Sequence, residues 1–153
     1  MDNQNNKFDP IDILIVEDNP ADAELTIRAL KKNSLTNRYF LVIDGEEALE
    51  YIFGMGRYEG RNISIQPKVI FLDLKLPKIN GLEVLKKIKE NPGTRRLPVV
   101  IVTSSREPRD IESAYDLGVN GYIVKPVDFE SFMSAITNTG LFWLCVNESP
   151  ANC

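Results

Sequence analysis

Compact apolar runs rich in Val, Ile, Leu and Phe recur at about 12–17, 38–43, 68–73, 97–103 and 119–124, and the stretches between them carry apolar residues at helical spacing. This alternation predicts five β/α units. Runs such as Ile13 to Val16 and Val99 to Val102 lack the apolar/polar alternation of a half-solvated strand, as expected where helices cover both faces of a parallel sheet. The pattern therefore predicts a doubly wound α/β sandwich. Helix boundaries are marked locally. Asn19 can cap a helix opened by Pro20, and Asp44 with Glu47 and Asn80 with Glu83 have the offset of a capping box. Leu82, Leu85 and Ile88 mark one buried face. Gly118 sits where the fourth helix should stop, and Asp128 can cap the last.

One connection departs from the regular pattern. The segment from Gly54 to Pro67 is long for a compact α/β domain and carries Gly54, Gly56 and Gly60 beside Arg57, Tyr58 and Arg61. It fits a surface insertion, or a partner-contacting loop to which its aromatic and basic residues would be suited. Residues 1–9 and 148–153 are expected to be mobile ends around a single domain at 10–147.

Composition narrows the function. A chain of 153 residues, 43% hydrophobic and 26% charged, suits one ordinary globular domain. It has no apolar run long enough to span a bilayer, and its N-terminus lacks the basic start and apolar core of a signal peptide, so the expected address is the cytoplasm and no membrane partner is expected. Histidine is absent, which excludes Ser-His-Asp and Cys-His catalysis, histidine-containing zinc sites and a histidine phosphodonor. The two cysteines, Cys145 and Cys153, argue against both a disulfide scaffold and a cysteine metal site. Any metal must then be held by oxygen ligands, which favours magnesium, calcium or manganese. A formal charge of -4, with only Lys86-Lys87 and Arg95-Arg96 as short basic pairs, argues against nucleic acid as a partner.

In folds of this kind functional groups gather beyond the C-terminal ends of the strands, where strand order reverses. Glu17, Asp18, Asp73, Thr103 and Lys125 all fall at or just beyond predicted strand ends. An acid placed like Asp73 is a nucleophile or a metal ligand. As a phosphoryl acceptor it must approach an anion, so a divalent cation and a fixed positive side chain have to cancel the repulsion. Asp18 and Asp73 can coordinate the ion, with Glu17 ligating or holding a bound water. Magnesium suits such a site, since it accepts one or two protein carboxylates and keeps several waters. Lys125 can supply the fixed charge and the Thr103 hydroxyl a hydrogen bond to a phosphoryl oxygen. The Lys125–Pro126 bond is a candidate cis peptide.

Over roughly residues 11–140 the chain resembles the response-regulator receiver domain of two-component signalling. The resemblance is carried by Ile13-Leu14-Ile15-Val16-Glu17-Asp18-Asn19, by Phe71-Leu72-Asp73-Leu74-Lys75-Leu76-Pro77 with Asn80-Gly81, by Val102-Thr103-Ser104-Ser105, and by Gly121-Tyr122-Ile123-Val124-Lys125-Pro126. It implies a flavodoxin-like (βα)5 three-layer sandwich with strand order 2-1-3-4-5. It further implies Asp73 as phosphoacceptor, Lys125 as the phosphate-contacting lysine, Thr103 and Tyr122 as a switch pair, and magnesium held by Glu17, Asp18, Asp73 and the backbone carbonyl of Lys75. Lys75 stands where many members have asparagine, and its side chain flanks the site of attacking water. Glu17 and Asn80 each replace a commoner aspartate.

The Gly54–Pro67 loop, Leu76-Pro77 and Phe142-Trp143-Leu144 are similar to a narrower group, the stand-alone regulators that serve phytochrome-type histidine kinases, notably in cyanobacteria. Phe142 and Trp143 equally fit a role in covering the last helix's packing surface. The resemblance implies a non-enzyme that takes a phosphoryl group from a sensor histidine kinase. With no output domain following, it would signal by docking to a downstream protein, a phosphotransfer protein or a second copy of itself. Two alternatives fit less well. A phosphate-independent binding module would not need the complete set Glu17, Asp18, Asp73, Thr103 and Lys125. A magnesium-dependent aspartyl-phosphate hydrolase would resemble an Asp-x-Asp pattern, where this chain has Lys75, and would need room for a capping domain. No glycine-rich phosphate loop is present to suggest a nucleotide enzyme.

Overall fold

The strand residues alternate between two cores. The computed structural model describes residues 8–36 and 38–150, and the expected mobile ends at 1–9 and 148–153 fall largely outside that set. Strands β1 (Ile13–Val16), β2 (Tyr39–Val42), β3 (Val69–Leu72), β4 (Val99–Thr103) and β5 (Gly121–Val124) pair in parallel in the order β2-β1-β3-β4-β5. Leu14, Val16, Ile70, Leu72, Val99 and Ile101 face one side. They pack against α2 (Gly45–Phe53), α3 (Gly81–Glu90) and Ala114 of α4 (Pro108–Asp116). Ile13, Ile15, Val69, Phe71, Val100 and Val102 face the other side, against α1 (Pro20–Lys32) and α5 (Phe129–Leu141). Burial on both faces explains why these strands are written as continuous apolar runs, each buried side chain contributing about 1.5–3 kcal/mol. The three layers and the strand order are those expected.

The predicted caps form. Asn19, Asp44, Asn80 and Asp128 accept hydrogen bonds from the backbone N–H groups of Asp22, Glu47, Glu83 and Ser131. At Asp44 the return arm of the box lands one residue early, because Glu47 accepts from the Ile43 N–H at 3.2 Å. Gly118 adopts φ +99° at the end of α4. Its N–H reaches Tyr115 O and that of Val119 reaches Ala114 O, the double bond of a left-handed helix stop. On α3 the fully buried face is Val84, Leu85 and Ile88, with Leu82 half-buried in the first turn. No cis peptide occurs among the described residues, so Lys125–Pro126 is trans. No helix among them is long and apolar enough to cross a membrane.

The Gly54–Pro67 segment is a built structure with a short 3-10 turn at Gly56–Tyr58. The Tyr58 ring is 4% exposed and packs edge-on against Tyr51 and Phe40, while its hydroxyl donates to Glu47 Oε2 at 2.6 Å. The Arg61 guanidinium lies 4.1 Å from the Tyr51 ring centroid. It donates to Tyr51 O and Ile52 O, satisfying carbonyls left open by the end of α2. Arg57 donates to Glu50 at 2.7 Å. The aromatic and basic residues that suited a partner-contacting loop are thus engaged within the chain. At the C-terminus, Trp143 and Leu144 of a π-helical turn (Phe142–Val146) pack against the Ile13-side core, whereas Phe142 is half exposed. Trp143 therefore serves packing.

Arg61→Ala removes carbonyl partners and a ring contact together. It is expected to lower unfolding free energy by about 1–3 kcal/mol in urea titrations. An unchanged midpoint would show that the arginine does not hold the loop.

Candidate functional site

The sheet's register assembles the site. Val16 of β1 pairs with Leu72 of β3, so the next residues, Glu17 and Asp73, leave the sheet side by side where strand order reverses. Backbone bonds continue past the strand ends: Glu17 N–H to Val42 O, Asp73 N–H to Val16 O and Lys125 N–H to Thr103 O at 2.7 Å. These fix three chain exits around one point. There the Lys125 ammonium donates to Glu17 Oε1 at 2.8 Å, Asp22 Oδ2 at 2.7 Å and Asp73 Oδ2 at 3.3 Å. Asp18 is exposed, yet one carboxylate oxygen each from Glu17, Asp18 and Asp73 lie within 4.8 Å of one another.

Of the residues singled out from sequence, Glu17, Asp73 and Lys125 meet directly and Asp18 closes the oxygen cluster. Lys75 has an exposed side chain, and its backbone N–H approaches Asp73 Oδ1 at 3.4 Å. Its loop is placed by backbone contact. A Cβ on Gly81 would stand 2.2 Å from Asp73 O, and one on Gly45 would stand 1.8 Å from Ile79 O, so both positions require glycine. Thr103 is fully buried at the end of β4 and joins Tyr122 through an intermediary. The Ser105 N–H reaches Thr103 Oγ1 at 3.4 Å, and the Tyr122 hydroxyl donates to Ser105 O at 3.1 Å. Ser105 Oγ in turn donates to Asp110 in the first turn of α4 at 2.6 Å.

The sequence pattern did not single out Asp22, and it named Ser105 only within a motif, without a role. For Asp22 the available signal was an acid in the first turn of the helix that follows β1, a position usually explained by the helix dipole alone.

Three carboxylates share one ammonium and a fourth, Asp18, lies beside two of them, which leaves the cluster net negative. Burial pushes the Glu17 carboxyl up to about 7, with the charge of Asp73 adding to it and the bond from Lys125 opposing it. For Lys125, burial pulls the ammonium down, but Asp22, Glu17 and Asp73 outweigh it and hold the group above its usual range. Excess negative charge on oxygen-only ligands fits a hard divalent cation.

The sequence model of the family described as "Response regulator receiver domain" matches residues 13–137. FilR2 of Methanothrix harundinacea, a probable methanogenesis regulatory protein, is 40% identical over 93% of this chain and 89% of its own length. The Mn(2+)-bound form of response regulator Rcp1, a protein of Synechocystis, superposes with a TM-score of 0.85 at 35% identity, covering 94% of this chain and 100% of that one. The phosphorylated cyanobacterial phytochrome response regulator RcpA gives a TM-score of 0.84 at 37% identity, covering 91% and 97%.

Because the Glu17 carboxyl is raised from its ordinary 4.5 to about 7, its contribution to stability is complete below about 4.5 and is lost as pH rises through about 7. In metal-free buffer Glu17→Gln is expected to be more stable than the parent at pH 8, by about 2 kcal/mol, with the gap closing towards pH 4.5. Denaturant midpoints across pH measure it. A variant less stable than the parent at pH 8 would contradict the charge argument.

Proposed function

Since the chain belongs to the response regulator receiver domain family, we propose that Asp73 accepts a phosphoryl group from a sensor histidine kinase and that the protein signals through changed docking. The observation that carries this reading is the Lys125 ammonium held against Asp73, with the oxygens of Glu17 and Asp18 alongside. In the transfer an Asp73 carboxylate oxygen attacks phosphorus, and the donor's bond to phosphorus breaks with its electron pair leaving on the donor. Lys125 keeps its proton and balances charge on the phosphoryl oxygens. Glu17, Asp18, Asp73 and the backbone carbonyl of Lys75 would hold magnesium, which would neutralise the repulsion between carboxylate and phosphoryl group.

Once Asp73 carries the phosphoryl group, the Thr103 hydroxyl is drawn towards it, and Tyr122, bonded to the same β4–α4 loop through Ser105, follows. The loop leads into α4, which buries only Ala114 and so is lightly held. The face built by α4, β5 and α5 is then the output, read by a downstream protein, a phosphotransfer protein or a second copy. Residues 10–147 act as one receiver domain, a cytoplasmic signalling module that turns over no independent substrate. The likeness to RcpA, a cyanobacterial phytochrome response regulator, supports a phytochrome-type kinase as donor.

Acetyl phosphate with magnesium is expected to add one phosphoryl group, read by intact-protein mass. Chelation should slow uptake at least about tenfold, and Asp73→Asn should abolish it. Labelling of Asp73→Asn at the parent level would remove Asp73 from its role.

A further inference from the structure

We propose that Asp22 is a positioning residue for phosphoryl uptake, anchoring the Lys125 ammonium over Asp73 from outside the group of acids suited to a metal. The inference rests on Asp73 being the acceptor. A lysine ammonium has three N–H donors, and here they are directed to Asp22, Glu17 and Asp73, with the Asp22 contact the shortest at 2.7 Å. The other two carboxylates have competing tasks. Glu17 lies in the oxygen cluster with Asp18 and Asp73, and Asp73 must give its oxygen to phosphorus. Asp22 is not in that cluster, so its hold on Lys125 persists when the others are drawn away.

The backbone of Asp22 is held firmly. Its N–H donates to Asn19 Oδ1 at 3.0 Å, and its carbonyl accepts from the buried Thr26 hydroxyl at 2.9 Å. The Asn19 N–H also donates to Glu17 Oε2 at 3.1 Å, so the same cap residue orients the Glu17 carboxylate and fixes the backbone from which Asp22 reaches the lysine. A first-turn acid serving only the helix dipole needs no such partner. A four-carbon lysine side chain released from this anchor regains rotamers, and fewer of them aim at Asp73. The Asp22 side chain is 29% exposed, against 7% for Glu17 and 8% for Asp73, which moderates the effect.

The test compares initial rates of uptake from acetyl phosphate at saturating magnesium for the parent, Asp22→Ala, Asp22→Glu, Lys125→Ala and the double variant Asp22→Ala/Lys125→Ala. Asp22→Ala is expected to slow uptake about tenfold, Asp22→Glu to restore most of it, and Asp22→Ala to add less than about twofold once Lys125 is alanine. Manganese affinity of Asp22→Ala should stay within about threefold of the parent, a readout that general damage to the site would move. Should Asp22→Ala fail to fold, Asp22→Asn is read in its place. Uptake by Asp22→Ala at or above the parent rate, a full loss that persists without Lys125, or manganese affinity that falls in step with the rate each overturns the inference. If the parent takes up no phosphoryl group, the proposed function falls and this inference with it. Parent uptake matched by Asp22→Ala overturns the inference alone.

Discussion

One ammonium shared among three carboxylates is the constraint around which this molecule is arranged. Lys125 leaves β5, Glu17 leaves β1, Asp73 leaves β3 and Asp22 comes from the first turn of α1, yet all meet at hydrogen-bond distance. Such convergence requires the parallel register to be held to a residue, because a slip of one position would turn Asp73 to the opposite face of the sheet. Two apolar layers, one on each side, enforce that register. The same convergence creates a problem, since the cluster carries more negative charge than one lysine offsets. Burial raises the Glu17 carboxyl, and the neighbouring charge of Asp73 adds to the rise. A site that is overcharged alone and balanced by a divalent cation is suited to receiving a phosphoryl anion only when the cation is present.

Much of this was legible in the sequence because the signals were local. Apolar runs against helical spacing gave five strands and five helices, and Asn19, Asp44, Asn80 and Asp128 marked helix starts, since capping depends on a few consecutive residues. Glu17, Asp73 and Lys125 stood out because each follows an apolar strand, where a charged side chain has few structural reasons to be. Asp22 did not, because an acid in a first helical turn already has an ordinary explanation and its contact with Lys125 spans 103 residues. The Gly54–Pro67 loop was the least legible part. Tyr58 and Arg61 read as surface chemistry in one dimension. Only the packing of Tyr58 with Phe40 and Tyr51, and the open carbonyls at the end of α2, turn them inward.

The fold also explains how an event at Asp73 can reach a surface. Strands β1, β3 and β4 are buried along their whole length, whereas the β4–α4 loop is held by a short chain of polar contacts running Thr103, Ser105, Tyr122 and Asp110. Helix α4 is tied to the core mainly by Ala114, and β5 is a half-buried edge strand. The least anchored elements lie next to the residues that would sense a phosphoryl group, which is where a small local change can be amplified.

The central claim is that the buried carboxylate of Asp73 becomes an acyl phosphate. Borohydride reduces an aspartyl phosphate to homoserine with release of phosphate, so reduction of the phosphorylated protein followed by peptide mass mapping reads the position directly. The account predicts homoserine at position 73 and nowhere else. Homoserine at position 18 or 22, or a borohydride-resistant phosphate on a serine or threonine, would contradict it.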